Sequence, residues 1–113
     1  MRRLAAEYGY QIVEVLNGVD VMRVAVEARP ELIVLDVQFP DADGRDILAE
    51  LKADERTAAI PVVVWSGRDP ESDRKIALNL GAEDYIEKID AETFFAKIKR
   101  VLLRVESERR LPS

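Results

Sequence analysis

The chain contains neither cysteine nor histidine. The first absence excludes a disulfide scaffold, a zinc–thiolate site and an iron–sulfur cluster. The second removes Ser-His-Asp and Cys-His triads, histidine metal sites and any phosphohistidine chemistry carried by this chain itself. Long apolar runs are missing too. The longest are about four residues, against the roughly 20 a membrane helix needs. The N-terminus, Met1-Arg2-Arg3-Leu4-Ala5-Ala6-Glu7, has no secretory apolar region. These features lead us to expect a cytoplasmic protein. A basic excess is also lacking: 17 Lys and Arg face 22 Asp and Glu, a net charge of -5. Nonspecific nucleic-acid binding depends on neutralising phosphates, so direct nucleic-acid contact is not expected.

What is present is the mixture of a soluble globular domain. The 113 residues are 48% hydrophobic and 35% charged. That length is one domain with a core that needs no covalent staples. There is no repeat, low-complexity tract or Pro/Gly/Ser linker.

Helix-like and strand-like segments alternate along the chain. Residues 1–8 read as a short helix closed by Gly9, and 11–16 (Gln-Ile-Val-Glu-Val-Leu) as a strand. Asn17-Gly18 signals a turn. Residues 19–28 read as a helix with Val21, Met22, Ala25 and Ala28 on one face, stopped by Arg29-Pro30. Residues 32–36 (Leu-Ile-Val-Leu-Asp) and 61–66 (Pro-Val-Val-Val-Trp-Ser) are apolar runs suited to strands covered on both faces. A helix at 45–53 buries Ile47, Leu48 and Leu51, and another spans 71–80, with Gly81 after it. Residues 84–86 form a short strand. Residues 91–105 form the clearest helix, with Phe94, Phe95, Ile98, Val101, Leu102 and Val105 on one stripe. The charged tail 106–113 is expected to fray.

Alternating helices and buried strands imply an α/β sandwich around a parallel sheet. Ligands in such folds sit beyond the carboxyl ends of the strands. Asp36, Ser66 and Lys88 lie at or just past three successive strand ends, so the topology brings them to one edge. Taken singly, each has a structural reading. Asp36 suits a turn, Ser66 a loop hydrogen bond, Tyr85 an amphipathic edge and Lys88 a solvated surface.

In combination these residues resemble the receiver domains of two-component response regulators, over nearly the whole chain. The stretch Leu-Ile-Val-Leu-Asp36-Val-Gln-Phe-Pro40-Asp-Ala-Asp43-Gly44 is similar to the family's phosphoacceptor strand and its following loop. Val-Val-Val-Trp-Ser66-Gly67 resembles the strand ending in the switch Ser/Thr and a small residue, and Tyr85-Ile86-Glu87-Lys88 the switch aromatic and its lysine. The resemblance implies a flavodoxin-like fold spanning 1–105. It implies a phosphoryl group accepted on Asp36, hydrogen-bonded by Ser66 and the backbone at Gly67, and held by Lys88. It also implies that Ser66 and Tyr85 switch a partner-docking surface. The implied partners are a sensor histidine kinase or phosphotransfer protein and a downstream protein.

Two departures stand out. In the family's register, its first, central strand and that strand's acidic pair fall before Met1. By resemblance, the elements of the magnesium site found here are Asp36 and the backbone carbonyl of Gln38, so weak or absent Mg2+ binding is expected. The strands at 11–16 and 32–36 then lose a neighbour. A truncated receiver, strand exchange or edge pairing in an oligomer, and a smaller four-stranded sheet all remain open. A homodimer would use the last helices or the exposed sheet edge. Second, Ile89 stands where the family has proline after its lysine, so a trans bond is expected there and Lys88 is aimed differently. A phosphorylation-independent receiver acting by protein contacts is therefore the alternative function. A magnesium phosphohydrolase fits less well, because Asp36-Val37-Gln38 offers no Asp-x-Asp pair and no His or Cys can act as base.

Overall fold

The computed structural model describes residues 9–11, 13–36, 39–67, 70–87 and 90–110. Two compact units divide the chain, one of residues 15–87 and one combining the N-terminal residues through 14 with those from 88 onward. Among the described residues, the first unit holds three strands, β1 (Ile33–Asp36), β2 (Val62–Ser66) and β3 (Asp84–Glu87). They pair in parallel in the order β1-β2-β3. Helices α1 (Val21–Ala28), α2 (Gly44–Ala53) and α3 (Pro70–Asn79) alternate with them. The parallel α/β architecture is the one expected from the buried strand runs.

The register sets a row of side chains across the sheet. Leu35 lies beside Val64, and Val64 beside Tyr85. All three belong to a core cluster with Val21, Ala25, Ile47, Leu48, Leu51 and Ala77. Leu48, Leu51 and Val62 are completely buried. The inward faces of α1 and α2 are thus those the 3.6-residue period picked out, except that Ala28 is exposed. Arg29 closes α1 in a left-handed conformation (φ 46°), its N–H donating to the Ala25 carbonyl, immediately before Pro30. Asp43 caps α2 by accepting from the Arg45 N–H at 2.9 Å. Thr57 donates to the Leu51 carbonyl at 2.7 Å, and Lys52 Nζ donates to the carbonyls of Ala58 and Ile60. These bonds tie down the turn between α2 and β2. Burial pulls the Lys52 ammonium below the ordinary lysine range.

Of the strand expected at 11–16, the described residues form no ladder, and Val13 and Leu16 are 67% and 73% exposed. Only Val15 packs against the core cluster. The β-branched composition favours an extended chain, but a strand needs a main-chain neighbour, and propensity alone does not supply one. The Asn17-Gly18 turn opens a 3-10 turn over Gly18–Asp20 that leads into α1. The helix expected at 1–8 lies outside the described residues.

The second unit contains helix α4 (Ala91–Arg110). Phe94, Phe95, Ile98, Val101 and Val105 are buried, the stripe anticipated from the sequence, with Leu102 half-buried. The rings of Phe94 and Phe95 meet edge to face at 5.1 Å, and Tyr10 lies 6.1 Å from Phe95. The helix continues through 106–110, where fraying is expected. Residues of the type found there are good helix formers, and extending an existing helix avoids a new nucleation cost.

Gly18 permits the closest approach in the first unit. A Cβ there would stand 2.7 Å from both Ala42 Cβ and Ile47 Cδ1. The Gly18 and Val19 N–H groups donate to the two oxygens of Asp41 at 2.7 and 3.1 Å. The Gly18 bond chiefly holds the Asp41 carboxyl below its ordinary 3.8. Gly18→Ala is therefore expected to destabilise the domain by about 1–3 kcal/mol, read from the urea midpoint. Asp41 has a depressed folded pKa, so its contribution is present above the unfolded value and is lost as pH falls through the folded one. Asp41→Ala should accordingly cost more stability at pH 7 than at pH 2.5; equal losses would contradict the bond's ionic character.

Candidate functional site

Asp36 is the last residue of β1 and lies beside Trp65; Ser66 is the last residue of β2 and lies beside Glu87. Two adjacent parallel strands therefore end at the same edge with an acid and a hydroxyl. Ser66 is fully buried, Asp36 and Trp65 are half-buried, and Gly67 just beyond is exposed. Strand alternation puts Ser66 on the same sheet face as Val64, and hence as Tyr85 in the neighbouring register position. Asp36 leaves its strand toward the opposite face, with Trp65. Lys88 and Gln38 lie outside the described residues, as do Val37 and Ile89. Lys88 follows Glu87, the last residue of β3, in the chain.

Tyr85 is 6% exposed and sits in the core cluster. Its hydroxyl is buried with no hydrogen-bond partner among the described residues. A ring expected at an amphipathic edge is thus wholly inside, with its polar end unsatisfied. Such a group costs about 1–3 kcal/mol relative to a solvated or bonded one.

A cleft of about 450 Å3 reaches Val64 of β2, and neither Asp36 nor Ser66 lines it. One wall is the segment after β1 and the start of α2, with Phe39, Asp43 and Arg45; the other is α3, with Asp73 and Ala77. Arg45 binds Asp43 with Nη2–Oδ2 at 3.0 Å. That bond, and behind it the charges of Asp73 and Asp46, raise the guanidinium further above its already high range. Sequence reasoning did not find Asp41 or Arg45. Asp41 bonds a turn 23 residues earlier, a distance no local pattern reveals. Asp43 and Arg45 carried only the signature of a helix start.

Among the described residues, no group of three or more acidic side chains gathers where a metal could bind. No helix among the described residues is long and apolar enough to cross a membrane.

Comparison with known proteins agrees with this geometry. The family model of the response regulator receiver domain matches residues 1–99. The chain is 33% identical over 99 residues to the DNA-binding dual master transcriptional regulator RpaA of Synechocystis, covering 87% of this chain and 41% of that protein. It is 32% identical over 97 residues to protein PilH of Pseudomonas aeruginosa, covering 85% of this chain and 80% of the relative. The receiver domain of a signal transduction histidine kinase from Syntrophus aciditrophicus superposes with a TM-score of 0.78 at 31% identity, covering 99% of this chain and 83% of that one. The chain thus spans about two-fifths of the transcriptional regulator it matches and most of PilH. It belongs to the response regulator receiver family, with that family's flavodoxin-like α/β fold. Proteins of this class are signalling modules of two-component systems, and no enzyme family is indicated.

The Tyr85 hydroxyl yields a test. Tyr85→Phe removes an unsatisfied polar atom without opening a cavity, so it is expected to raise stability by about 1 kcal/mol in urea denaturation. A loss of similar size would mean that the hydroxyl has a partner.

Proposed function

We propose that this domain is a phosphoacceptor whose nucleophile is Asp36. The observation carrying the proposal is that Asp36 and Ser66 terminate neighbouring parallel strands at one sheet edge. A carboxylate oxygen of Asp36 attacks the phosphorus of a donor, either the phosphohistidine of a sensor kinase or phosphotransfer protein or a small acyl phosphate. The new bond is an aspartyl acyl phosphate. The bond that breaks leaves its electron pair on the donor's imidazole nitrogen or carboxylate oxygen. Such transfer is governed by positioning and by neutralising charge. The Ser66 hydroxyl and the backbone N–H at Gly67 donate to the phosphoryl oxygens, and the Lys88 ammonium supplies positive charge.

Switching follows from the packing of Ser66 and Tyr85 on one face. A phosphoryl group at Asp36 draws the Ser66 hydroxyl toward the edge and vacates space beside the β2–β3 row. Tyr85, already carrying an unsatisfied hydroxyl, is the side chain with most to gain from a new rotamer. Its movement changes the surface that a downstream protein contacts, a local charge event biasing a two-state element. One observation favours a second reading, in which partner binding needs no phosphorylation: among the described residues no group of three or more acidic side chains gathers.

Radiolabelled acetyl phosphate, offered with and without magnesium, separates the two. Label that is released by hydroxylamine and lost in Asp36→Asn is expected. Beryllofluoride should also shift the emission of Trp65, which neighbours Asp36 in the ladder. A folded chain that takes no label and shows no Trp65 response, or label retained in Asp36→Asn, would overturn the acceptor assignment.

A further inference from the structure

We propose that Asn17-Gly18 is a site of spontaneous modification, at which Asn17 loses ammonia and becomes aspartate or isoaspartate, and that Asp41 is the clamp that keeps it inert. Asparagine before glycine is open to this chemistry because no Cβ shields the glycine nitrogen. Packing demands the glycine: a Cβ at residue 18 would stand 2.7 Å from Ala42 Cβ and Ile47 Cδ1. Asn17 is exposed, and its side chain makes no capping bond to the 3-10 turn that follows. A reactive amide thus faces water beside a nitrogen that the fold cannot afford to shield.

The reaction is an attack of Gly18 N on Asn17 Cγ. The N–Cγ bond forms, the Cγ–Nδ2 bond breaks, and ammonia leaves with the proton that Gly18 N gives up. Water then opens the succinimide at either carbonyl. Opening at Cγ gives aspartate; opening at the main-chain carbon gives isoaspartate, whose main chain runs through the former side chain. Closing the five-membered ring turns the Asn17-Gly18 peptide plane until Gly18 N eclipses Cβ, which an L residue reaches at negative ψ. Asn17 has ψ 138°, so the plane must swing round. Both ends of that plane are held. The Gly18 N–H donates to Asp41 Oδ1 at 2.7 Å, and the Asn17 carbonyl accepts from the Asp20 N–H at 3.1 Å. The Val19 N–H donates to Asp41 Oδ2 at 3.1 Å, so one carboxylate grips two successive peptide units with charge-assisted bonds. Reaction therefore requires a local opening of the Asp41 contact and not a side-chain rotation alone. Once isoaspartate has formed, the added main-chain carbon displaces Gly18 from its fit against Ala42 and Ile47, and the clamp does not remake.

Incubating the folded chain at mildly alkaline pH, followed by peptide mapping for the amide-to-acid mass gain and for isoaspartate, tests this. The other asparagine, Asn79, precedes leucine and serves as the internal reference. Asn17 of the folded wild type should react about tenfold or more slowly than in the same chain unfolded in urea. Asp41→Ala removes the clamp and should speed Asn17 about tenfold or more in the folded chain, with Asn79 unchanged. A folded wild type that loses Asn17 as fast as the unfolded chain would overturn the proposal. So would a folded Asp41→Ala chain in which Asn17 stays as slow as in wild type, or a rise that Asn79 shares equally. If Asp41→Ala does not fold, the wild type in urea below its unfolding transition decides. There Asn17 loss and hydrogen exchange at the Gly18 amide should rise together, and Asn17 loss that ignores Gly18 exchange would rule the clamp out.

Discussion

The parallel ladder that joins β1, β2 and β3 is the constraint on which the rest of the molecule depends. Its register fixes which side chains share a row and which strand ends share an edge. Leu35, Val64 and Tyr85 fall in one row and enter one core. One residue further on, β1 ends with Asp36, and two residues past Val64, β2 ends with Ser66. Because a strand has a side-chain period of two, slipping any strand by one residue would invert this arrangement. It would push Asp36 inward and expose Leu35. Burial of the Leu35 row therefore holds the site in place more firmly than any bond within the site.

That coupling also explains why the edge can be polar and still well defined. The main chain alone places Asp36 and Ser66 at the ends of neighbouring strands. The loops that leave the edge are held separately. Asp41 ties the segment after β1 to the turn before α1, and Asp43 starts α2 in the same segment. The cleft lies between the segment after β1 with the start of α2 and helix α3.

Much of this was legible in the sequence. Continuous apolar runs at Leu32–Leu35 and Val62–Val64 identified buried parallel strands, because only strands covered on both faces tolerate them. The 3.6-residue spacing of Ile47, Leu48 and Leu51, and of Phe94, Phe95, Ile98 and Val101, identified the buried helix faces. The positions of Asp36 and Ser66 followed from the strands that end on them. The segment 11–16 failed for a reason that composition does not encode: an extended chain becomes a strand only where another main chain meets it. Asp41 was missed because its partner is distant in sequence. Tyr85, which taken singly suits an amphipathic edge, is buried instead, because packing against the core overrides the preference of an aromatic hydroxyl to stay wet or bonded.

The misfit at β1 and the misfit at 11–16 have the same physical origin. The run Leu-Ile-Val-Leu is written for an interior strand, but among the described residues it has one strand neighbour. The run Val-Glu-Val-Leu is written for a strand, but it joins no ladder and exposes Val13 and Leu16. Both sequences satisfy the side-chain requirement of a larger sheet and lack its main-chain requirement. Side-chain burial can be met from one side, as Val15 shows by reaching the core without a ladder. Main-chain hydrogen bonding cannot, because each N–H and C=O points along a fixed direction and only an extended backbone at the right spacing answers it. An open apolar edge is thus a directional demand, whereas an exposed apolar side chain is not.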